Sequence, residues 1–181
     1  MQCLKAAVQN GADAVYLGIK TFSARANADN FTFEELSEAV RYCHLRDVSV
    51  YLTLNTLIDD ENMEMALNNA KKAHSCGIDG IIVQDLGLAV QIRKMLPDIR
   101  LHASTQMSII HPKEAQFLKN LGFKRIIAAR EATLDQIKML VATGIEVEVF
   151  GHGSLCVCYS GQCELSYFNG GKSGNKGSCA Q

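Results

Sequence analysis

No apolar run in this sequence is long enough to cross a membrane; the longest are short and broken by glycine or charge. The N-terminus, Met1-Gln2-Cys3-Leu4-Lys5, has no basic region leading into an apolar stretch, so no signal peptide is expected. Neither sign of charge dominates: 18 basic residues against 19 acidic ones give a net charge of -1. Without a global field, binding to nucleic acid or a membrane surface has to come from a local patch. Several catalytic motifs are missing too. There is no Gly-x-Gly-x-x-Gly after a strand, no Gly-x-Ser-x-Gly elbow and no His-Glu-x-x-His. Gly171-Lys172-Ser173 resembles the end of a phosphate loop, but the required first glycine falls at Ser166 and no strand-to-helix context surrounds it. The chain does have 181 residues, 48% of them hydrophobic and 20% charged, enough to bury a core as one domain and to exclude disorder. The expected compartment is the reducing cytoplasm, where an odd count of seven cysteines argues against a disulfide framework and for metal, cluster or catalytic thiols.

Short apolar runs predict six strands, at Ala14–Leu17, Val48–Leu54, Gly80–Val83, Ile99–His102, Arg125–Ala128 and Val147–Phe150. Helical spacing fills the intervals. Phe33, Leu36, Val40, Tyr42 and Cys43 follow the N-cap Thr32, whose partner Glu35 completes a capping box. Further helices are expected at 61–75, at 85–96 before Pro97, and at 113–121 and 133–142, ending at Gly122 and Gly144. Nearly unbroken apolar strands alternating with amphipathic helices indicate a parallel sheet covered by helices.

A polar group follows every strand: Lys20, Phe22, Ser23 and Arg25; Asn55 and Thr56; Gln84 and Asp85; His102, Ser104, Thr105 and Gln106; Arg130 and Glu131; His152. Six strands delivering polar chemistry to one rim fit the catalytic face of a (β/α)8 barrel, whereas a doubly wound sheet concentrates its site at one switch point. The expected fold is therefore an α/β, incomplete (β/α)8 barrel of about six units. A first and a last strand are expected to be missing, leaving sheet edges prone to aggregation. Residues 1–150 form the partial barrel. Residues 151–181 differ: they hold seven of fourteen glycines and four of seven cysteines without apolar periodicity, and read as a functional insert. Within it, Cys163–Phe168 followed by Asn169-Gly170 predicts a hairpin.

Cys156, Cys158, Cys163 and Cys179 lie on glycine-permitted backbone able to curl round a cluster or soft metal. Zinc and simple packing or redox thiols remain alternatives, although common zinc spacings are absent. Cys3, Cys43 and Cys76 read as small core residues. His102, at a strand end, reads as an acid–base or binding residue, or as a core histidine bonded to a carbonyl. Asp85 and Glu131 form a candidate carboxylate pair, with Asp85 equally suited to capping the next helix. His152 lies between Gly151 and Gly153, where backbone approaches a ligand closely or simply turns. Lys172 and Lys176 form a small basic patch, either solvated or touching phosphates.

The stretch Glu148-Val149-Phe150-Gly151-His152-Gly153-Ser154-Leu155-Cys156, continuing through Gly161-Gln162-Cys163-Glu164-Leu165-Ser166, resembles the signature of the collagenase-like peptidase family of unassigned catalytic type. Gly11–Gly18, Phe22–Asn27, Leu54-Asn55-Thr56, Gln84-Asp85, His102–Gln106 and Ser173–Gly177 resemble further motifs of that family, in order along the whole chain. The resemblance implies a barrel whose outer strands lie outside this sequence. It also implies a 4Fe-4S cluster in members that hydroxylate tRNA, ribosomal RNA or a quinone precursor without molecular oxygen. Prephenate is the suggested oxygen source in the RNA-modifying members, and other members are proteases. Carried over by position, Cys156, Cys163 and Cys179 are three cluster ligands, a fourth is expected beyond Gln181, and Cys158 is a spare thiol.

The first expectation is thus an iron–sulfur hydroxylase of RNA or a related small molecule, completed by further barrel segments or a partner subunit. Arg25 and Arg130 would clamp a carboxylate or phosphate, Asn27, Asn55, Gln84, Ser104 and Gln106 would line the substrate site, and His102 or His152 would move protons. The second is a peptidase in which His102, Asp85, Glu131 or His152 binds a hydrolytic metal or activates water. A third is an interaction module with a structural cluster.

Overall fold

The computed structural model describes residues 1–25, 28–153 and 156–179. The strands are β1 (Ala14–Gly18), β2 (Ser49–Leu54), β3 (Gly80–Val83), β4 (Arg100–Ala103), β5 (Arg125–Ile127) and β6 (Glu146–Glu148). They form one sheet in chain order, and every neighbouring pair is parallel. Helix α1 (Gln2–Gln9) precedes β1, and α2 (Phe33–His44), α3 (Asp60–Ser75), α4 (Leu86–Met95), α5 (Pro112–Asn120) and α6 (Leu134–Val141) connect successive strands.

Strand alternation sorts the side chains onto two faces. Leu52, Ile81, Leu101 and Ile126 pack with Leu36, Leu88, Ile92, Leu118 and Leu140 of the helices in one continuous core. Burying each of these side chains contributes roughly 1.5–3 kcal/mol. Tyr51, Ile82 and Ile127 form a separate cluster on the opposite face, which takes no helix residue. Helices on one face only, with strands in unpermuted order, make the sheet a six-stranded half-barrel rather than a doubly wound layer.

Local chemistry starts the helices where the sequence predicts. Thr32 and Glu35 close the capping box of α2, with bonds of 2.8 and 3.2 Å. Thr133 with Gln136, and His111 with Glu114 ahead of Pro112, do the same for α6 and α5. Gly122 and Gly144 end their helices at φ +90° and +73°. The last strand departs from expectation: it runs over Glu146–Glu148 instead of reaching Phe150. Across that register Arg125 of β5 binds Glu146 at 3.0 Å and Glu148 at 3.1 Å. Cys3 is exposed rather than in the core, and Cys76 is half-buried with its thiol directed to the Phe33 carbonyl at 3.7 Å; Cys43 is buried as expected.

The predicted hairpin after Cys163 is not formed. Leu165–Phe168 is instead a short helix, α7, with the amides of Tyr167 and Phe168 donating to the Glu164 carbonyl at 3.0 and 3.2 Å. Asn169 has φ -88°, not the positive value that a two-residue primed turn demands; the left-handed residue is Gly171, at φ +65°. A 3-10 turn at Gly174–Lys176 follows. No helix among the described residues is long and apolar enough to cross a membrane.

Candidate active site

Because all strands run parallel, their C-terminal ends share one rim, and most of the polar residues expected there are found on it. On β2, the Thr53 hydroxyl donates to the Leu17 carbonyl at 3.2 Å and lies 3.3 Å from the Ser23 hydroxyl. Asn55 accepts from the Ala24 amide at 2.9 Å, so it fixes the loop that carries Arg25, whose side chain is exposed. Asn27 lies outside the described residues. Asp85 is fully engaged by backbone: one oxygen accepts from Leu88 at 2.8 Å as the cap of α4, and the other accepts from Ile58 at 3.2 Å. It ties two rim loops together rather than pairing with Glu131.

Next to it, the Gln84 amide nitrogen donates to the Gln106 carbonyl at 3.3 Å, while its buried oxygen has no hydrogen-bond partner. Ser104 is buried and caps the 3-10 turn Thr105–Met107 by accepting from the Gln106 amide at 3.3 Å. His102 sits one layer below, on the concave face. It is 1% exposed, its ring centroid is 4.5 Å from that of Tyr51, and its Nδ1 is buried without a partner. Burial foremost, with Arg125 and Arg100 adding to it against Glu146, lowers its pKa to about 4, so the imidazole is neutral near pH 7. The backbone carbonyl partner considered for a core histidine is therefore not what holds Nδ1.

The residues after β6 lie over this rim, and a serine that sequence reasoning overlooked is what attaches them. Ser160 is 0% exposed. Its amide donates to both Glu131 oxygens at 3.1 and 3.3 Å, and its hydroxyl donates to Glu131 at 2.8 Å. That hydroxyl also accepts from the Arg130 amide and Nε at 3.2 and 3.3 Å, and the Ser160 carbonyl accepts from the Ser108 hydroxyl. Burial pushes the Glu131 pKa up, but hydrogen bonds from its own backbone and from Ser160, with the charge of Arg130, outweigh it and hold the carboxylate ionised. Glu131 is thus an anchor. The next residue, Gly161, lies so close to the Gln106 carbonyl that an added Cβ would stand 1.9 Å from that oxygen, and its φ is +70°. A Ser-Gly pair opposite an acidic rim loop is the signal that was available; two small residues in a glycine-rich stretch gave it no contrast. Further along, Lys176 reaches Asp59, ahead of α3, at 2.7 Å. This removes one of the two lysines from the basic patch.

The anchor sets the thiols beside the rim. All seven cysteines are thiols without disulfides. The backbone N–H of Cys158 chiefly, and Arg130 by hydrogen bond and charge, lower the pKa of Cys156 against a burial penalty. Cys158 hydrogen-bonds to Cys163, which raises its pKa first, with burial and the neighbouring thiols adding to the effect. Cys158 thus interacts with Cys156 on one side and Cys163 on the other, while Cys179 is exposed and lies near Gly174; among the described residues no three cysteines, histidines or carboxylates stand close enough to hold a metal ion, so the predicted set Cys156, Cys163 and Cys179 is not brought together here. His152 is also exposed, at the edge of the same segment. Soft sulfur donors on backbone with several positive-φ glycines, one of them held by an arginine, have the donor chemistry that an iron–sulfur cluster requires.

Fold and rim together define a β/α half-barrel with a thiol-bearing segment fastened over the C-terminal ends of its strands. This chain belongs to Peptidase family U32, whose family model matches residues 1–181. It is 42% identical over 97% of its length to the 23S rRNA 5-hydroxycytidine C2501 synthase of Escherichia coli (strain K12), covering 26% of that protein. It is 37% identical over its full length to tRNA hydroxylation protein P1 of Bacillus subtilis (strain 168), covering 43% of it. A collagenase of Porphyromonas gingivalis (strain ATCC BAA-308 / W83) is 32% identical over 99% of this chain and 46% of its own. The chain thus spans less than half the length of these relatives. Among solved structures, a U32 peptidase, Mk0906, superposes with a TM-score of 0.63 at 15% identity, over 77% of this chain and 60% of that one, which supports the barrel fold.

Proposed function

We propose that this chain is the barrel portion of an enzyme that hydroxylates RNA without molecular oxygen, using an iron–sulfur cluster. The observation that carries the reading is the clasp: Glu131, Ser160 and Gly161 hold a cysteine segment at the mouth of a barrel whose relatives are named for hydroxylation of ribosomal and transfer RNA. Cys156, Cys163 and Cys179 would hold the cluster, with a fourth ligand from outside this chain and Cys158 as a supporting thiol. When bound, the cluster would supply electron transfer at the barrel mouth.

The protein's own residues do the rest. Arg25 extends from a loop held by Asn55 and is placed to engage a phosphate or carboxylate at the rim. Arg130 divides its hydrogen bonds between Ser160 and Cys156, which ties that thiol to the rim and favours its ionised form. Gln84 holds the Thr105–Met107 turn through its bond to the Gln106 carbonyl, with its amide oxygen buried and unpartnered beneath the rim. Neutral His102 underlies it as a hydrogen-bonding group rather than as a base active near pH 7. The peptidase alternative draws on carboxylates that are already committed, Asp85 to two amides and Glu131 to Ser160.

The test is anaerobic purification of the full-length protein beside its Cys156→Ser variant, with absorption spectrum and iron and sulfide assay. The expected outcome is a broad visible charge-transfer band with about four irons, lost in the variant. An iron-free protein that cleaves peptides would overturn the reading in favour of proteolysis. In cells lacking the gene, one hydroxylated nucleoside should disappear and return with wild type but not with Cys163→Ser.

A further inference from the structure

Beside Cys163 the segment forms a cleft of about 320 Å³, lined by Cys163, Glu164, Tyr167, Phe168, Ser173 and Asn175. Its walls are tied to each other. The Asn175 side chain donates to the Cys163 carbonyl at 3.1 Å, the Lys172 amide to the Ser166 carbonyl at 3.3 Å, and the Gly171 amide to the Tyr167 carbonyl at 2.8 Å. The far wall is fastened to the barrel through Lys176 and Asp59. The cleft is thus built by backbone and side-chain bonds, not by the aromatics themselves.

Those aromatics are conspicuously in water. Tyr167 and Phe168 are 63% and 78% exposed, and their rings meet edge-on with centroids 5.9 Å apart. An edge-to-face pair leaves ring faces free to stack on a third planar group. Around them the cleft offers hydrogen-bonding groups of both kinds: the Glu164 carboxylate accepts, the Ser173 hydroxyl donates or accepts, and Lys172 stands exposed nearby. Stacking faces and a polar edge in a cleft, with an exposed cation beside it, are the components that recognise an unpaired nucleobase: the π-face gives affinity, the edge contacts discriminate and the cation meets the phosphate.

We infer that the Tyr167–Phe168 cleft beside Cys163 binds an unpaired base of an RNA strand, holding the strand against the rim. This deepens the RNA reading and rests on it. A base so held would sit out of its stack, as chemistry on a nucleobase requires, and Glu164 would favour bases that present an exocyclic amine or ring N–H.

The test uses the full-length protein and a labelled single-stranded RNA oligonucleotide, followed by fluorescence anisotropy. Tyr167→Ala and Phe168→Ala should each weaken binding by about tenfold or more, while Tyr167→Phe retains it. Lys172→Ala should have a smaller effect and lower the dependence on salt. Both aromatics are exposed, so thermal melts of the variants should match wild type. Photo-crosslinking with a halogenated-uridine oligonucleotide should label residues 163–175. If wild type binds the oligonucleotide and the alanine variants bind equally, with crosslinks elsewhere, the cleft is not the base site and the RNA reading stands. If wild type binds no RNA, both fail.

Discussion

His102 shows how burial changes the meaning of a residue. A strand-end histidine facing a rim suggests proton transfer, but this one is closed in by Tyr51 with Arg125 nearby, and its pKa falls to about 4. The sign of the consequence follows. Between pH 4 and 6.5 the unfolded chain binds more protons than the folded one, so this contribution to stability is complete above about 6.5 and declines as the pH falls to 4. It amounts to at most on the order of 3 kcal/mol. Urea unfolding between pH 7 and 4 should therefore be less steeply pH-dependent in His102→Asn than in wild type. Parallel curves would show that the histidine does not titrate in this range on unfolding.

At the scale of elements, the segment after β6 has few regular hydrogen bonds and depends on side-chain anchors. Replacing Glu131 by Gln keeps its shape and weakens its charge-assisted bonds to Ser160, which are worth roughly 1.5–3 kcal/mol. The Ser160 amide should then exchange its hydrogen about tenfold to a hundredfold faster, while amides in β3 and β4 are unchanged. Gly161→Ala, which drives a methyl into the Gln106 carbonyl and strains a left-handed residue, should release the same segment more completely. Slow exchange at Ser160 in both variants would mean that the segment is held elsewhere. The sequence marked this stretch as different through its glycines and cysteines, yet the hairpin expected there proved to be a helical turn. An Asn-Gly pair marks a turn only where two strands are ready to flank it.

At the scale of the whole molecule, the half-barrel leaves two edges. Among the described strands β1 pairs only with β2, and β6 only with β5, so each presents unpaired backbone groups. The concave face carries an exposed Tyr16, and Phe150 is exposed just beyond β6. Expressed by itself, this chain should associate in a concentration-dependent way, seen by sedimentation velocity. A monomer at every concentration would show that these edges are protected within the chain itself.

Periodicity, capping residues and terminal glycines determined the order of strands and helices, because those features act within a few residues of chain. The polar positions after each strand followed from the same regularity: parallel strands bring their ends to one rim. Roles at that rim were decided only by the tertiary structure. Whether Asp85 caps or catalyses and whether Glu131 moves protons or holds Ser160 depend on groups 27 and 29 residues away, and whether His102 is charged depends on Tyr51 and Arg125 of other strands. Hydrogen bonds and burial of that kind are set when the sheet and its rim loops pack together, and no spacing along the chain encodes them.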